Sequence, residues 1–199
     1  MNLFYPRFPW RLLPRMLGIA VLGALVGGVY GILHDQITYS ISQEYFTKLK
    51  FDQFRYANFG FPVRIFVSEV GFLATWWVGF FAAWFLARIA VPSWPQALAL
   101  RRCFLGFAII FITGLTAGTV GCVLGVHHTA DYSNWQDLCL TLGVTDVPSF
   151  VRVAYIHNAS YLGGVIGLVI AILFLLYLKR CERGSAPTPT TEPHSPVAQ

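Results

Sequence analysis

The sequence is short of charge. Only 12% of its 199 residues are Asp, Glu, Lys or Arg, against 56% hydrophobic, and the mean hydropathy is +0.59. Soluble domains carry about 25% charged residues, so this composition argues against an ordinary soluble domain and for a membrane protein. Cysteine is also scarce. Cys103, Cys122, Cys139 and Cys181 include no C-x-x-C pair, which leaves a thioredoxin-like redox motif and a zinc knuckle unsupported. No internal repeat is visible, and no spacing reproduces a metal motif such as H-E-x-x-H. The excess of 14 Lys+Arg over 9 Asp+Glu would suggest nucleic acid only on a soluble basic face. Here the bases flank apolar runs, so the excess reads as topology and no nucleic-acid partner is expected.

What is present is a set of four long apolar runs, predicting spans at about 16–33, 69–88, 103–126 and 159–178. The first carries no charge over 18 residues, ~27 Å as a helix against a hydrocarbon core of ~30 Å. A signal peptide would have a shorter apolar region followed by a cleavage site. This run leads straight into His34-Asp35, so it reads as a retained span. Residues 1–183 thus form one membrane domain. Residues 184–199 are rich in Pro, Thr and Ser and have too little apolar surface to offset chain entropy, predicting a disordered cytoplasmic tail. His194 in that tail has no structural context.

Four spans put both termini on one side. That side holds nine bases (Arg7, Arg11, Arg15, Arg88, Arg101, Arg102, Lys179, Arg180, Arg183) and two acids (Glu182, Glu192), a net +7. The other holds five bases (Lys48, Lys50, Arg55, Arg64, Arg152) and seven acids (Asp35, Glu44, Asp52, Glu69, Asp131, Asp137, Asp146), a net −2. The basic side is predicted to be cytoplasmic. The fold expected is an all-α membrane protein, a four-transmembrane-helix bundle with two long outer loops, 34–68 and 127–158. The inner loop, 88–102, carries Pro92 and Pro95, which end a helix and set a turn.

Glycines four apart suggest how the bundle closes. Gly23, Gly27 and Gly31 lie in span 1, Gly114/Gly118 and Gly121/Gly125 in span 3, and Gly163/Gly167 in span 4. Small residues at this spacing let helix backbones approach closely in lipid. Span 2 lacks the pattern and carries Trp76, Trp77 and Trp84, so spans 1, 3 and 4 are expected to pack tightly with span 2 covering them. Aromatic residues crowd the outer boundary, as Trp and Tyr do at membrane interfaces. Residues 51–66 read either as an interfacial segment or as a re-entrant loop.

Each outer boundary also carries ionisable groups: His34-Asp35, Glu69, His127-His128 and His157. Such groups at membrane depth are costly and face the bundle interior or a cavity. Structural accounts compete. Glu69 at a helix N-terminus, and His34, His127 and His128 at C-termini, all suit the helix dipole. His157 begins span 4, where a positive charge is unfavourable, so it should be neutral, the form that binds metals. Together His34, Asp35, Glu69, His127, His128 and His157 form a candidate site for Zn, Fe, Mn or Cu, or for protons. Glu44 ranks lower: on a straight helix it lies about 900° from Asp35, on the opposite face. Cys122 and Cys139 share the outer side and read equally as a disulfide or as two buried thiols.

His34-Asp35-Gln36-Ile37-Thr38, followed by Glu44-Tyr45-Phe46-Thr47, resembles a stretch of uncharacterised bacterial multi-pass membrane proteins. So do Ala74-Thr75-Trp76-Trp77-Val78-Gly79 and His157-Asn158-x-Ser160-Tyr161-x-Gly163-Gly164. The resemblance covers spans 1, 2 and 4. It implies a bacterial inner membrane and no particular chemistry. The expected protein therefore sits in a lipid bilayer and carries a metal- or proton-binding site on its outer face, with an enzymatic role left open. An accessory subunit packing in a larger membrane complex or as a homo-oligomer is the rival. A small transporter is weaker, because no inverted repeat or broken span pair marks a midplane substrate site.

Overall fold

In the computed structural model, residues 8–127 and 133–184 are described; His128, Asp131 and the 185–199 tail lie outside them. Every regular element among the described residues is helical. A 3-10 turn, Trp10–Leu12, leads into α1, Leu13–Ile41, whose Pro14 sits in the first turn, where no amide donor is needed. α1 ends at Ser42, which is extended at φ −141° and ψ 108° and whose hydroxyl accepts the Tyr45 amide at 3.3 Å. The chain then folds back through short helical turns at Gln43–Tyr45, Phe46–Lys50 (a π turn), Phe51–Gln53 and Arg55–Ala57. α2, Val63–Ala90, starts after Pro62. A tight turn bearing Pro92 and Pro95 leads to α3, Gln96–His127. The short α4, Gln136–Leu142, stops at Gly143, whose φ of +62° suits glycine. α5, Val147–Gly184, is capped by Asp146, whose carboxylate accepts the Ser149 amide at 3.2 Å.

Four of these helices, α1, α2, α3 and α5, are long and apolar enough to cross a membrane. At 28 to 38 residues they reach ~42–57 Å, well beyond a ~30 Å hydrocarbon core. This corrects the helix-end placements expected from the apolar runs. α1 continues past His34 and Asp35 to Ile41, and α5 begins at Val147, upstream of His157. Neither histidine is at a helix terminus, so the dipole accounts do not apply to them. Polar residues bound within the helices extend them past the apolar runs.

The bundle is two helix pairs. α1 packs on α2 and α5 on α3, with far sparser contact between the pairs. This corrects the expectation that α2 merely covers the others. A Cβ at Gly27 would meet Gly79 Cα at 2.9 Å and Thr75 O at 3.0 Å, and one at Gly31 would overlap the Gly71 carbonyl. Thr75 Oγ1 donates to the Gly27 carbonyl at 2.8 Å. The α2 ladder is Gly71-Thr75-Gly79, small residues four apart with a threonine in the middle. In the second pair, a Cβ at Gly163 would meet Thr113 O at 2.7 Å, one at Gly167 Ile110 Cα at 2.8 Å, and one at Gly125 Arg152 Cα at 2.8 Å. Gly118 lies against Ser160, and Gly114 is in ordinary contact with it.

Two apolar clusters hold the pairs together, one at each end. At the end where α1 begins and α5 finishes, Met16, Leu86, Ile89, Cys103 and Leu175 are buried together. This terminal end also pairs Arg102 with Glu182; Trp94 stacks its ring under the Arg102 guanidinium at 3.9 Å and donates its indole N–H to Glu182. At the opposite, loop end, Tyr39, Tyr45, Phe46, Val67, Phe150 and Val153 form the second cluster. The folded-back 43–57 segment closes it from above.

Candidate functional site

Just beneath the loop-end cluster, α1 and α5 face each other with polar groups. His34 and Asp35 come from α1 and His157 from α5. One ligand atom of each lies within 4.8 Å of the others. His157 is fully buried and Asp35 is 2% exposed. The site bridges the two helix pairs, since α1 belongs to one and α5 to the other.

Asp35 already has a partner. Lys50, at the end of the π turn, places Nζ 2.8 Å from Oδ2 and 3.1 Å from Oδ1. This ammonium is 5% exposed and stands 5.3 Å from the centre of the Phe46 ring. Burial pushes the Lys50 amine down from its ordinary range, and the Asp35 carboxylate opposes that shift without cancelling it. A bare carboxylate in such surroundings would be strongly disfavoured, and the ion pair neutralises it.

His157 uses both ring nitrogens. Nδ1 is 3.2 Å from the Tyr161 hydroxyl and Nε2 is 3.3 Å from Thr38 Oγ1. Thr38 has one hydroxyl proton, and the His34 carbonyl accepts it at 3.0 Å. Nε2 then carries the proton donated to Thr38, and Nδ1 accepts from Tyr161. The Tyr45 ring lies parallel to the imidazole at 5.1 Å, and the His34 ring meets it edge-on at 4.7 Å. Nε2 is 3.8 Å from Asp35 Oδ1, too long for a hydrogen bond. His34 is less satisfied: its Nε2 is buried with no hydrogen-bond partner among the described residues. Towards the membrane centre, the Tyr30 hydroxyl of α1 and the Ser160 carbonyl of α5 both lie beside Gly114.

The other candidates stand apart from this group. Glu69 is half-buried in α2, and its Oε2 has no hydrogen-bond partner among the described residues. His127 is exposed at the end of α3. His128 falls outside the described residues. The helix does break after Ile41, as Glu44 required, but Glu44 turns to another task. Its carboxylate accepts the Thr145 amide at 3.0 Å and the Asp146 amide at 2.6 Å, just ahead of α5. Those donors, the Asp146 amide foremost, hold the Glu44 carboxyl below the usual carboxylate range. Cys122 and Cys139 are free thiols. Cys139 is packed into the loop-end cluster, where burial pushes its thiol up.

Sequence reasoning did not single out Lys50, Thr38, Tyr45 or Tyr161. A usable signal for Lys50 was available. Asp35 follows a span and needs a cation, and Lys50 lies in Phe46-Thr-Lys-Leu-Lys-Phe51, a basic stretch bounded by aromatics.

Chemically, the arrangement offers one carboxylate oxygen and two imidazole nitrogens around a single point. Ligands ~2.0–2.2 Å from one ion stand ~3.4 Å apart, so the 3.8 Å between His157 Nε2 and Asp35 Oδ1 needs only a small closure. The Tyr161 hydroxyl on Nδ1 is the outer hydrogen bond that orients a ligating imidazole; it accepts as readily as it donates. No protein-family model, curated protein or solved structure matches the chain.

Proposed function

We propose that this chain is a multi-pass protein of a bacterial inner membrane, with both termini cytoplasmic, that binds a transition-metal ion at its loop end. That end is the outer, periplasmic one by the distribution of Lys and Arg. The reading rests on one observation: the donor atoms of His34, Asp35 and His157 converge within 4.8 Å, while His34 Nε2 is buried without a partner among the described residues. Imidazole and carboxylate donors suit Zn, Fe, Mn or Cu. Lys50 occupies the cation position beside Asp35. Metal entry therefore requires its ammonium to withdraw from Asp35 or to lose its proton, since two cations cannot share one carboxylate in so buried a place.

A second reading is favoured by that same lysine. Lys50 meets both oxygens of Asp35, so the cluster is complete as a buried polar network. It would then fasten the two helix pairs, or bind protons, in an accessory subunit or small transporter.

Metal analysis of the full chain purified in detergent separates the two. The metal reading expects close to one transition-metal ion per chain, lost in His157→Ala and retained or tightened in Lys50→Met. Folded, metal-free wild-type protein after growth in metal-replete medium would overturn it and leave the polar network.

A further inference from the structure

A second concavity lies at the terminal end, far from the His/Asp cluster. It is a groove of about 250 Å³ between one face of α1 and the start of α3. Arg15, Gly18, Ile19 and Leu22 contribute the α1 wall, in register for a single helix face. Gln96, Ala99 and Leu100 contribute the α3 wall, with Val91 and Trp94 of the connecting turn between them. Gly18 makes the groove: a Cβ there would find none of the described residues within 4 Å. Unlike the glycines at the helix contacts, this one is not required by close backbone approach.

Chemistry divides the groove into a charged rim and an apolar floor. Arg15 is exposed, and no carboxylate among the described residues forms an ion pair with it. Arg11, Arg88, Arg101 and Arg102 lie at the same end, where Glu182 is the one described acid and is already engaged by Arg102 and Trp94. The floor, Ile19, Leu22 and Leu100, offers only hydrocarbon. A cationic rim over an apolar trough, at the level where a span leaves the hydrocarbon core, matches an amphiphile with a negative head and a long apolar tail.

We propose that the groove holds one anionic glycerophospholipid, its phosphate at Arg15 and Gln96 and one acyl chain along Gly18, Ile19, Leu22 and Leu100. This goes beyond the metal reading and stands without it. The bound lipid would cover α1 where α2 and α3 leave it open, and seal the junction of the two helix pairs at the terminal end.

The test uses the full chain in detergent, with dioleoyl phosphatidylglycerol and dioleoyl phosphatidylcholine titrated separately, read by native mass spectrometry and by thermal stability. Phosphatidylglycerol should bind and stabilise at markedly lower concentration than phosphatidylcholine. Arg15→Gln should lose about fivefold in phosphatidylglycerol affinity, the size expected for one surface arginine near an anionic head. Gly18→Leu should fill the trough and abolish retention of either lipid, with lipid-free stability unchanged or slightly raised because its side chain enters open space and favours the helix. Equal binding of the two lipids overturns the proposal, as does wild-type lipid binding by both variants. Stabilisation of the same size by inorganic phosphate alone would assign the rim to a free anion and also overturn it. Arg15→Gln alters only an exposed side chain and keeps the test decisive if Gly18→Leu does not fold.

Discussion

Both ends of this bundle carry an ion pair, yet the two pairs work in different surroundings. At the terminal end, Arg102 meets Glu182 with the arginine side chain 11% and the glutamate side chain 48% exposed, so water and salt reach one partner and screen the contact in part. At the loop end, the Lys50 and Asp35 side chains are 6% and 3% exposed, with two imidazoles and a threonine hydroxyl around them. A pair with one partner in water is the more replaceable of the two. A buried one holds charge that cannot be abandoned by either partner without cost. The contrast explains why the loop end, and not the more strongly charged terminal end, is the candidate site: function follows desolvation here, not charge density.

The sharpest way to break this contrast is to remove one member of each pair. Lys50→Met should destabilise the protein by about 3–5 kcal/mol, because it strands the Asp35 carboxylate. Asp35→Asn/Lys50→Met together should recover much of that loss. Denaturant unfolding in detergent measures both, and additive losses would show that the two residues are not coupled. Next in size is a glycine comparison between the ends. Gly31→Ala, beneath the site, drives a Cβ into the Gly71 carbonyl and should cost about 1–3 kcal/mol. Gly18→Ala, at the terminal end, should be neutral or stabilising by up to ~1 kcal/mol through helix propensity. Equal effects would contradict the packing described.

Glu44→Gln should cost about 1 kcal/mol, as loss of a helix-start acceptor does. Its carboxyl is held below the usual range in the folded chain. The stabilisation is therefore present at neutral pH, above the unfolded carboxyl's range, and is lost as acidification passes the folded value. Wild type and variant should converge in stability at low pH, and a pH series of melting curves shows whether they do. Smallest of all, Glu182→Gln should cost little and lose its effect in high salt. A loss as large as that of Lys50→Met would erase the distinction between the two ends.

Much of this architecture could be read from the sequence. Four apolar runs predicted four long helices, because a span of that length has little alternative in lipid. Glycine ladders in α1, α3 and α5 pointed to their contact faces. The ladder in α2 was missed because Thr75 stands between Gly71 and Gly79, and a search for glycine alone passes over it. Helix ends were misjudged for a different reason. Hydropathy marks where side chains stop being apolar, whereas a helix stops where its backbone does, at Ser42 or before Val147.

The candidate site was legible in part. His34, Asp35 and His157 were singled out, but so were Glu69 and His127, which share their boundary without joining the group. Counting residues per boundary gives depth in the membrane and not angle around the helix. Lys50 was out of reach of that method because its place depends on the break at Ser42 and the return of 43–57 over the bundle. Glu44 was ranked low by helical geometry. The break removed that geometric objection, and only the position of the α5 start showed what the residue does.

The fifteen-residue separation of Asp35 and Lys50 has a consequence for biogenesis. Asp35 lies in α1 and Lys50 in the segment that joins the two helices of the first pair. During synthesis the carboxylate meets its counter-ion as soon as α1 and the following turns have formed, well before the ribosome has made His157. The first hairpin can therefore settle in the bilayer with its acid already neutralised. His157 comes from the second hairpin, so the His/Asp cluster is complete only where the two halves are packed together.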